Sequence, residues 1–370
     1  MVKNTNRLVS LDIFRGMTVA FMIIVNTPGC LWNNAYAPLL HAKWHGCTPT
    51  DLVFPFFLFI VGVSMFFSLK KYGGEVNTDS VIKIFRRTLL IFAVGVFLTI
   101  FPVFIRDYST LRIMGVLQRI ALAYGIGAII CLTVRRDFLW IAVAIILLGY
   151  WALLAFFGGA NPYALETNFA LKVDLAVLGA NRLYDGFGIP FDPEGLLSTI
   201  PAVATVIIGY YVGGMIHSGK HDGNLCWKIL ILGASALGLG ILWGVVFPIN
   251  KALWTSSYTL YTAGLGMIML ALIYFLADIL KFQKWGMFFI ILGTNALFAY
   301  ALATAWANTM LAIKFTGGGE SVTLYSWLYY NIFVPFAGNT NGSLLFAITQ
   351  LTLVWVITLI LYRKKIFIKL

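Results

Sequence analysis

The sequence predicts an all-α, polytopic membrane helix bundle of about ten transmembrane helices with both termini cytoplasmic. Three observations carry that prediction. Of the 370 residues, 60% are hydrophobic and only 11% are charged, whereas a soluble domain is roughly 45–50% apolar and about 25% charged. The apolar residues gather into ten runs separated by charged or Gly/Pro-rich breaks. Lysine and arginine fall unequally on alternate breaks. With a mean hydropathy of +0.89 and 16% aromatic residues, a water-soluble enzyme, a disordered tail and a disulfide-rich secreted scaffold are excluded.

Each run is justified by its own boundaries. The first, 13–28, follows the polar, basic stretch Met1 to Arg15 and stops at Pro28–Gly29. It lacks a small-residue cleavage site, so it is expected to remain as an anchor. The second, 51–69, opens at Asp51 and closes on Lys70 and Lys71; the third, 82–104, begins at Lys83, Arg86 and Arg87. The fourth and fifth, 114–134 and 138–157, are divided by the short Arg135–Asp137 loop. The sixth, 196–216, starts behind Asp192-Pro193-Glu194-Gly195, and the seventh, 227–248, stops before Asn250-Lys251. The eighth, 258–280, ends at Lys281; the ninth, 287–311, follows Lys284; the tenth, 343–362, ends on Arg363-Lys364-Lys365. Hydrocarbon leaves no partner for an open backbone, so helices are the expected form of all ten.

Placing the N-terminus inside puts eighteen basic residues on the cytoplasmic face and seven outside, with Arg119 left within a span. That bias accounts for the net charge of +12 without nucleic acid, for which no basic and aromatic cluster is present. The apolar stretch Val322 to Ala337 (VTLYSWLYYNIFVPFA) is short and rich in Tyr and Trp, and reads as an outer interfacial or re-entrant segment. Three outer segments, 29–50, 158–195 and 312–342, are long enough to carry function. No internal repeat, low-complexity tract or linker divides the chain, so 1–370 reads as a single transmembrane domain.

Ionisable residues in such a setting need a reason, because each costs about 2.5–3.5 kcal/mol at a helix centre. Asp12 and Arg15 lie three apart, on one face at the inner mouth of the first span. An intrahelical ion pair and a substrate site are both open there. Arg119 follows Gln118 within the fourth span; it fits either a buried pair with Asp12, Asp51 or Glu194, or an anion clamp. At the outer end of the first span stand Asn26 and then a loop with His41, Trp44, His45 and Cys47, closed by Asp51. His41 and His45 lack the glutamate of H-E-x-x-H and have no further ligand set at metal spacing, so no metal is expected. An imidazole base beside an amide and a carboxylate suits proton removal from a nucleophile and stabilisation of an oxyanion. Two solvated loop histidines are the bland alternative. His217 and His221 sit in a short inner loop. Cys30 and Cys47 flank the histidine loop on the outer side, where an oxidising compartment would allow a bridge.

The run from Arg7 to Gly16 (RLVSLDIFRG) resembles the R-x-x-S-x-D-x-x-R-G opening of the heparan-alpha-glucosaminide N-acetyltransferase family. The similarity continues through Val25-Asn26, His41-Ala42-Lys43-Trp44, Asp51 to Pro55 and Leu111 to Arg119. It resumes at Asp192-Pro193-Glu194-Gly195, Asn250 to Trp254 and Ser257-Tyr258, and so spans most of the chain. The S-L-D-x-x-R-G piece is less specific by itself, since O-acyltransferases of the acyltransferase-3 type begin similarly.

The resemblance implies a transmembrane acetyltransferase that takes acetyl-CoA from the cytosol and acetylates the amino group of a glucosamine-type sugar on the far side. Bacterial relatives act on free glucosamine or short amino sugars, which implies the periplasmic side of an inner (cytoplasmic) membrane, and a homodimer by analogy. The family's catalytic histidine falls on His41 and its partnering asparagine on Asn26. Asp51 is expected to orient His41 or bind sugar hydroxyls. Arg15, Arg119, Gln118, Arg86 and Arg87 are the expected acetyl-CoA ligands, and no soluble-type pyrophosphate loop is present. Asp192, Glu194, Trp44 and Asp12 are the expected contacts to the amino sugar. Two departures matter. The large luminal N-terminal region of the animal enzymes is not among these residues, which bears on polymer recognition. His45 stands where asparagine is common, and His41 is favoured as the base. An O-acetyltransferase of envelope polysaccharide and an amino-sugar permease are the rival readings.

Overall fold

The computed structural model describes residues 8–29, 35–70, 72, 75–102, 108–219, 222–317 and 320–368. Its helices are α1 (Val9–Asn26), α2 (Val53–Lys70), α3 (Thr78–Ile100), α4 (Val116–Thr133), α5 (Leu139–Phe157), α6 (Phe169–Leu178) and α7 (Thr199–Ser218). They continue as α8 (Gly223–Trp243), α9 (Ser256–Tyr274), α10 (Met287–Thr294) and α11 (Ala296–Ala312). A two-stranded antiparallel hairpin, β1 (Lys314–Gly317) and β2 (Glu320–Thr323), precedes α12 (Leu324–Leu328), α13 (Val334–Ala337) and α14 (Asn339–Arg363). The protein is thus an all-α, multi-pass helix bundle, with this hairpin the only sheet among the described residues.

Eight of these helical segments are long and apolar enough to cross a membrane, and a ninth span is formed if α10 and α11 count as one. Those two meet at a bend of 70°. Asn295 sits at the break, where its amide donates to the Ile366 carbonyl (3.1 Å) and accepts from the Ile368 N–H (2.8 Å). The Asn295 side chain thereby ties the break to the chain beyond α14. The run expected at 82–104 is helical as α3, but Asp79, Lys83, Arg86 and Arg87 crowd its first turns and separate it from the purely apolar spans. The stretch expected to lie at the interface, 322–337, contains α12, a π-helical turn at Tyr329–Phe333 and α13, with Trp327, Tyr330 and Phe336 exposed.

Helix ends are closed by side chains where the sequence supplies them. Asn77, Asn168, Asp222 and Thr255 each accept an N–H bond from the first turn of α3, α6, α8 and α9. Asp278, beyond α9, accepts from the Val9 and Ser10 N–H groups, so an anion from a distant element caps α1.

Packing is close where small residues meet. A Cβ on Gly62 of α2 would stand 2.1 Å from the Val206 carbonyl oxygen of α7, and one on Gly209 would stand 2.1 Å from the Phe59 carbonyl oxygen. Helices in lipid gain little from burying apolar surface and depend on such close approach for van der Waals contact. Accordingly 78% of the α7 span is buried, against 22% of the α5 span, whose Trp140 and Ile145 point outward. The end of α1, the starts of α2, α4, α7 and α9, and the loops between them meet at one end of the bundle.

Candidate active site

The loop that carries His41 is shaped by Asp51. One carboxylate oxygen of Asp51 accepts the Ala42 N–H (3.1 Å) and the Thr48 N–H (3.0 Å), which folds the loop back on the start of α2. Gly46, at φ +108°, makes the turn that a side chain would strain. The other Asp51 oxygen is left for His41, whose Nδ1 lies 2.6 Å away. An ionised carboxylate only accepts, so Nδ1 carries the proton of that bond and Nε2 holds the ring's lone pair. Asp51 is 1% exposed while the His41 side chain is 37% exposed. A carboxylate inside and a half-exposed imidazole outside can serve chemically as a general base. The Tyr258 hydroxyl donates to the Asp51 carbonyl (2.5 Å) and fixes its backbone from α9.

A third group joins this pair from 210 residues beyond His41. The Gly46 N–H donates to the Ile249 carbonyl (2.7 Å), and Asn250 holds its own turn by accepting the Leu253 N–H (2.8 Å). Trp254, buried and at φ +50°, completes the turn in the left-handed region, a conformation that costs about 1 kcal/mol or more. The Arg119 guanidinium lies over its indole (5.1 Å), and Phe54 meets the same ring in a T-shaped contact (5.1 Å). The result is that Lys251 Nζ lies 3.1 and 3.3 Å from the two His41 nitrogens and 3.6 Å from Asp51. Burial lowers the Lys251 pKa from its ordinary value, against the pull of Asp51 and Glu194. The sequence offered no sign of Lys251 beyond its place in the Asn250 to Trp254 run, because an outer-loop lysine is unremarkable.

The other histidine has a different environment. The Asn250 amide donates to His45 Nδ1 (3.3 Å), and burial lowers the His45 pKa. It is therefore His41 that has the carboxylate. Cys47, near Asp51, is no nucleophile: burial and then the Asp51 charge push its thiol up to about 12. The expected partner for a bridge, Cys30, lies outside the described residues. Among the described residues no three His, Cys, Asp or Glu side chains converge on a common point that would hold a metal.

Asn26 ends α1 at the same end of the bundle and is exposed. It lines a cavity of about 240 Å³ together with Met22, Ile23, Thr27, Tyr300, Ala303 and Thr304. An amide and hydroxyls on an otherwise apolar wall suit a small acyl group and the oxyanion derived from it.

Several expected contacts sit elsewhere. Asp192 and Glu194 are paired. Arg112 takes both, donating to the two Asp192 oxygens (2.8 and 2.7 Å) and to Glu194 (2.6 Å). Burial raises the Asp192 pKa, while for Glu194 the charges of Arg112, Arg119 and Lys251 outweigh the effect of burial and lower it. Arg112 itself is raised by its bonds to this pair despite burial. Trp44 donates its indole N–H to the Tyr163 carbonyl (2.9 Å) and packs edge-on against Phe187 and Phe191, so it anchors the loop to segment 158–195. Asp12 is at the far end of α1, fourteen residues or about 21 Å from Asn26 along the axis. It pairs there with Arg15 (3.2 Å), which also donates to Ser64 (2.6 Å) and to the Gly293 carbonyl (3.3 Å).

Arg119 is wholly buried and donates to the Gly195 carbonyl (3.2 Å) and to the Ser198 hydroxyl. It braces the start of α7. Gln118 is buried between α3 and α4, with its carbonyl oxygen where a Cβ on Gly95 would stand 2.6 Å away. Arg87 stacks over Tyr124 (4.6 Å) and Arg86 is exposed on α3. Of the five expected acetyl-CoA ligands, Arg15, Arg86 and Arg87 therefore remain at a surface or partly open.

Residues 7–228 match a family model described as the catalytic region of heparan-alpha-glucosaminide N-acetyltransferase. Two curated relatives carry that name. The Mus musculus protein is 27% identical over 357 residues, covering 80% of this chain and 53% of its own length. The Homo sapiens protein is 27% identical over 430 residues, covering 98% of this chain and 60% of its own length. The chain thus spans a little over half of each relative.

Proposed function

The chain belongs to the heparan-alpha-glucosaminide N-acetyltransferase family, and on that premise we propose that it moves the acetyl group of cytosolic acetyl-CoA to the amino group of a glucosamine-type sugar on the other side of a bacterial inner membrane. The observation that carries this reading is the His41–Asp51 dyad, 2.6 Å apart at one end of an apolar bundle. Coenzyme A is a bulky polyanion and the acetyl group is small and neutral. A transferase built into a bundle can pass the second while the first stays on its own side.

In this reaction His41 Nε2 accepts a proton from the attacking amine as nitrogen adds to the thioester carbonyl. The Asn26 amide donates to the oxyanion, and collapse of the adduct expels the thiolate, which takes up the proton from His41. The products are the N-acetyl sugar and free coenzyme A thiol, so atoms and charge balance. Asp51 fixes the tautomer and bears the imidazolium formed in between. Attack by His41 itself, through an acetyl-histidine, uses the same geometry in two steps. Arg15, Arg86 and Arg87 are the cationic groups left to meet the coenzyme A phosphates.

The test is purified protein supplied with acetyl-CoA and either glucosamine or N-acetylglucosamine, with thiol release followed in time. Release with glucosamine alone supports N-acetylation, and release with both sugars indicates an O-acetyltransferase. No release with any amino sugar sinks the proposal and favours a permease. His41→Ala is expected to abolish turnover while leaving the unfolding temperature unchanged.

A further inference from the structure

We propose that the protein also transfers acyl groups longer than acetyl, namely propionyl and butyryl, from their coenzyme A thioesters, with the cavity beside Asn26 holding the hydrocarbon tail and Ala303 limiting its length. The inference rests on the acetyl-transfer reading, which supplies the thioester and the amine, and widens its range of donors.

Size is the first ground. The cavity, lined by residues of α1 and α11 and by Thr27, measures about 240 Å³. An apolar cavity of about 150 Å³ is enough for benzene, with its six carbons. The methyl of an acetyl group leaves most of the larger space vacant, whereas protein interiors keep few voids bigger than a water molecule. Shape is the second. Met22 and Ile23 precede Asn26 on α1 by four and three residues, so the wall runs on for one helical turn, about 5.4 Å, past the amide. With carbon–carbon bonds of about 1.5 Å, the three carbons that follow a butyryl carbonyl fit within that turn when the Asn26 amide holds the carbonyl oxygen.

The chemistry of the wall is the third. Its threonine hydroxyls are spent on nearby helix carbonyls: Thr27 donates to Ile23 (2.7 Å) and Thr304 to Tyr300 (3.0 Å). Met22, Ile23 and Ala303 are buried and apolar. A hexosamine ring with its several hydroxyls, or a pantetheine arm with its amides, would give up hydrogen bonds to water against such a wall. An alkyl tail gives up none and gains from burial. Ala303 has the smallest side chain of the lining and sits on α11 within one turn of Tyr300 and Thr304, so carbons added at this position take their room from the tail.

The transfer step balances as it does for acetyl. The amine nitrogen bonds to the acyl carbon, the carbon–sulfur bond breaks, and the amine's proton passes by way of His41 to the thiolate. The products are the N-acyl sugar and free coenzyme A thiol.

The experiment supplies the purified full chain with glucosamine and acetyl-, propionyl- or butyryl-CoA, follows thiol release, and identifies the N-acyl product by mass spectrometry. For wild type, kcat/KM with the two longer donors is expected within about tenfold of that with acetyl-CoA, because a methylene that a hydrophobic pocket fails to take costs about 10–200-fold. On the same scale Ala303→Leu should lower the butyryl-to-acetyl ratio by about tenfold or more. The ratio cancels any general loss of activity in the variant, and Ala303→Val, read in the same way, takes its place if the leucine protein does not fold. Acetyl transfer with both longer donors falling below the expected range overturns the proposal and leaves the acetyl reading standing. An unmoved ratio in Ala303→Leu protein of normal unfolding temperature also overturns it, and leaves the cavity to a lipid chain. No thiol release from any donor removes the acetyl reading and this inference with it.

Discussion

Asp51→Asn isolates the one hydrogen bond on which the proposed base depends. The structure dictates how asparagine must sit. Its carbonyl oxygen replaces the oxygen that accepts from the Ala42 and Thr48 N–H groups, since an NH₂ there would face two donors. The amide NH₂ is then forced toward His41 Nδ1, 2.6 Å away in the wild type. A donor at that position selects the tautomer with the proton on Nε2, where the lone pair is needed. Catalysis requires the disfavoured tautomer, which loses its bond to residue 51 and brings two N–H groups together. A hydrogen bond to a charged partner is worth about 1.5–3 kcal/mol; with the reversed donor the deficit is about 3–5 kcal/mol, or a fall of about 10² to 10⁴ in kcat. Because Asn keeps the loop's backbone bonds, KM for acetyl-CoA and the unfolding temperature should change little. Steady-state thiol release with glucosamine measures kcat, and a value within threefold of wild type would refute the tautomer argument.

Two further outcomes concern the rest of that end of the bundle. Arg112→Ala leaves the Asp192 and Glu194 side chains, 0% and 10% exposed, without their counter-charge; a loss of about 3–5 kcal/mol is expected, read as a lower unfolding temperature in detergent and partly restored by adding Asp192→Asn and Glu194→Gln. Asp174, buried on α6, has its carboxyl pushed up to about 6, mainly by burial. Between its unfolded pKa near 4 and that value, the folded state keeps a proton that the unfolded state releases, so stability should fall as pH rises from about 4 to 6 and then level off. Asp174→Asn retains an acceptor for the Leu196 N–H and should flatten that slope, stabilising the protein at pH 7 by at most about 3 kcal/mol; an unchanged slope in urea titrations would count against the assignment.

Three buried carboxylates at this end each have a cation against them: Asp51 has Lys251, and Asp192 and Glu194 share Arg112. Such pairs hold loops that hydrophobic burial cannot specify, because lipid and protein interior are equally apolar. Arg119 plays the same part with neutral partners, donating to the Gly195 carbonyl and stacking on Trp254.

The sequence by itself determined the class of this protein and the position of its helices. The ten apolar runs correspond to α1–α5, α7–α9, the bent α10–α11 pair and α14, because hydrocarbon admits only backbones that satisfy their own hydrogen bonds, a constraint written locally in composition. The histidine loop was also legible, since His41, Asn26 and Asp51 lie within 26 residues and carry a family pattern. What only the tertiary structure decided is which charge meets which. Arg112 finds Asp192 across 80 residues, and Lys251 finds His41 across 210. A charge in a sequence states a need for a partner but gives no direction, and local periodicity fixes neighbours only within a few turns. Asp192 and Glu194 therefore read as free ligands until Arg112 was seen to hold them, and Lys251 read as an ordinary loop cation until the two turns were seen to cross.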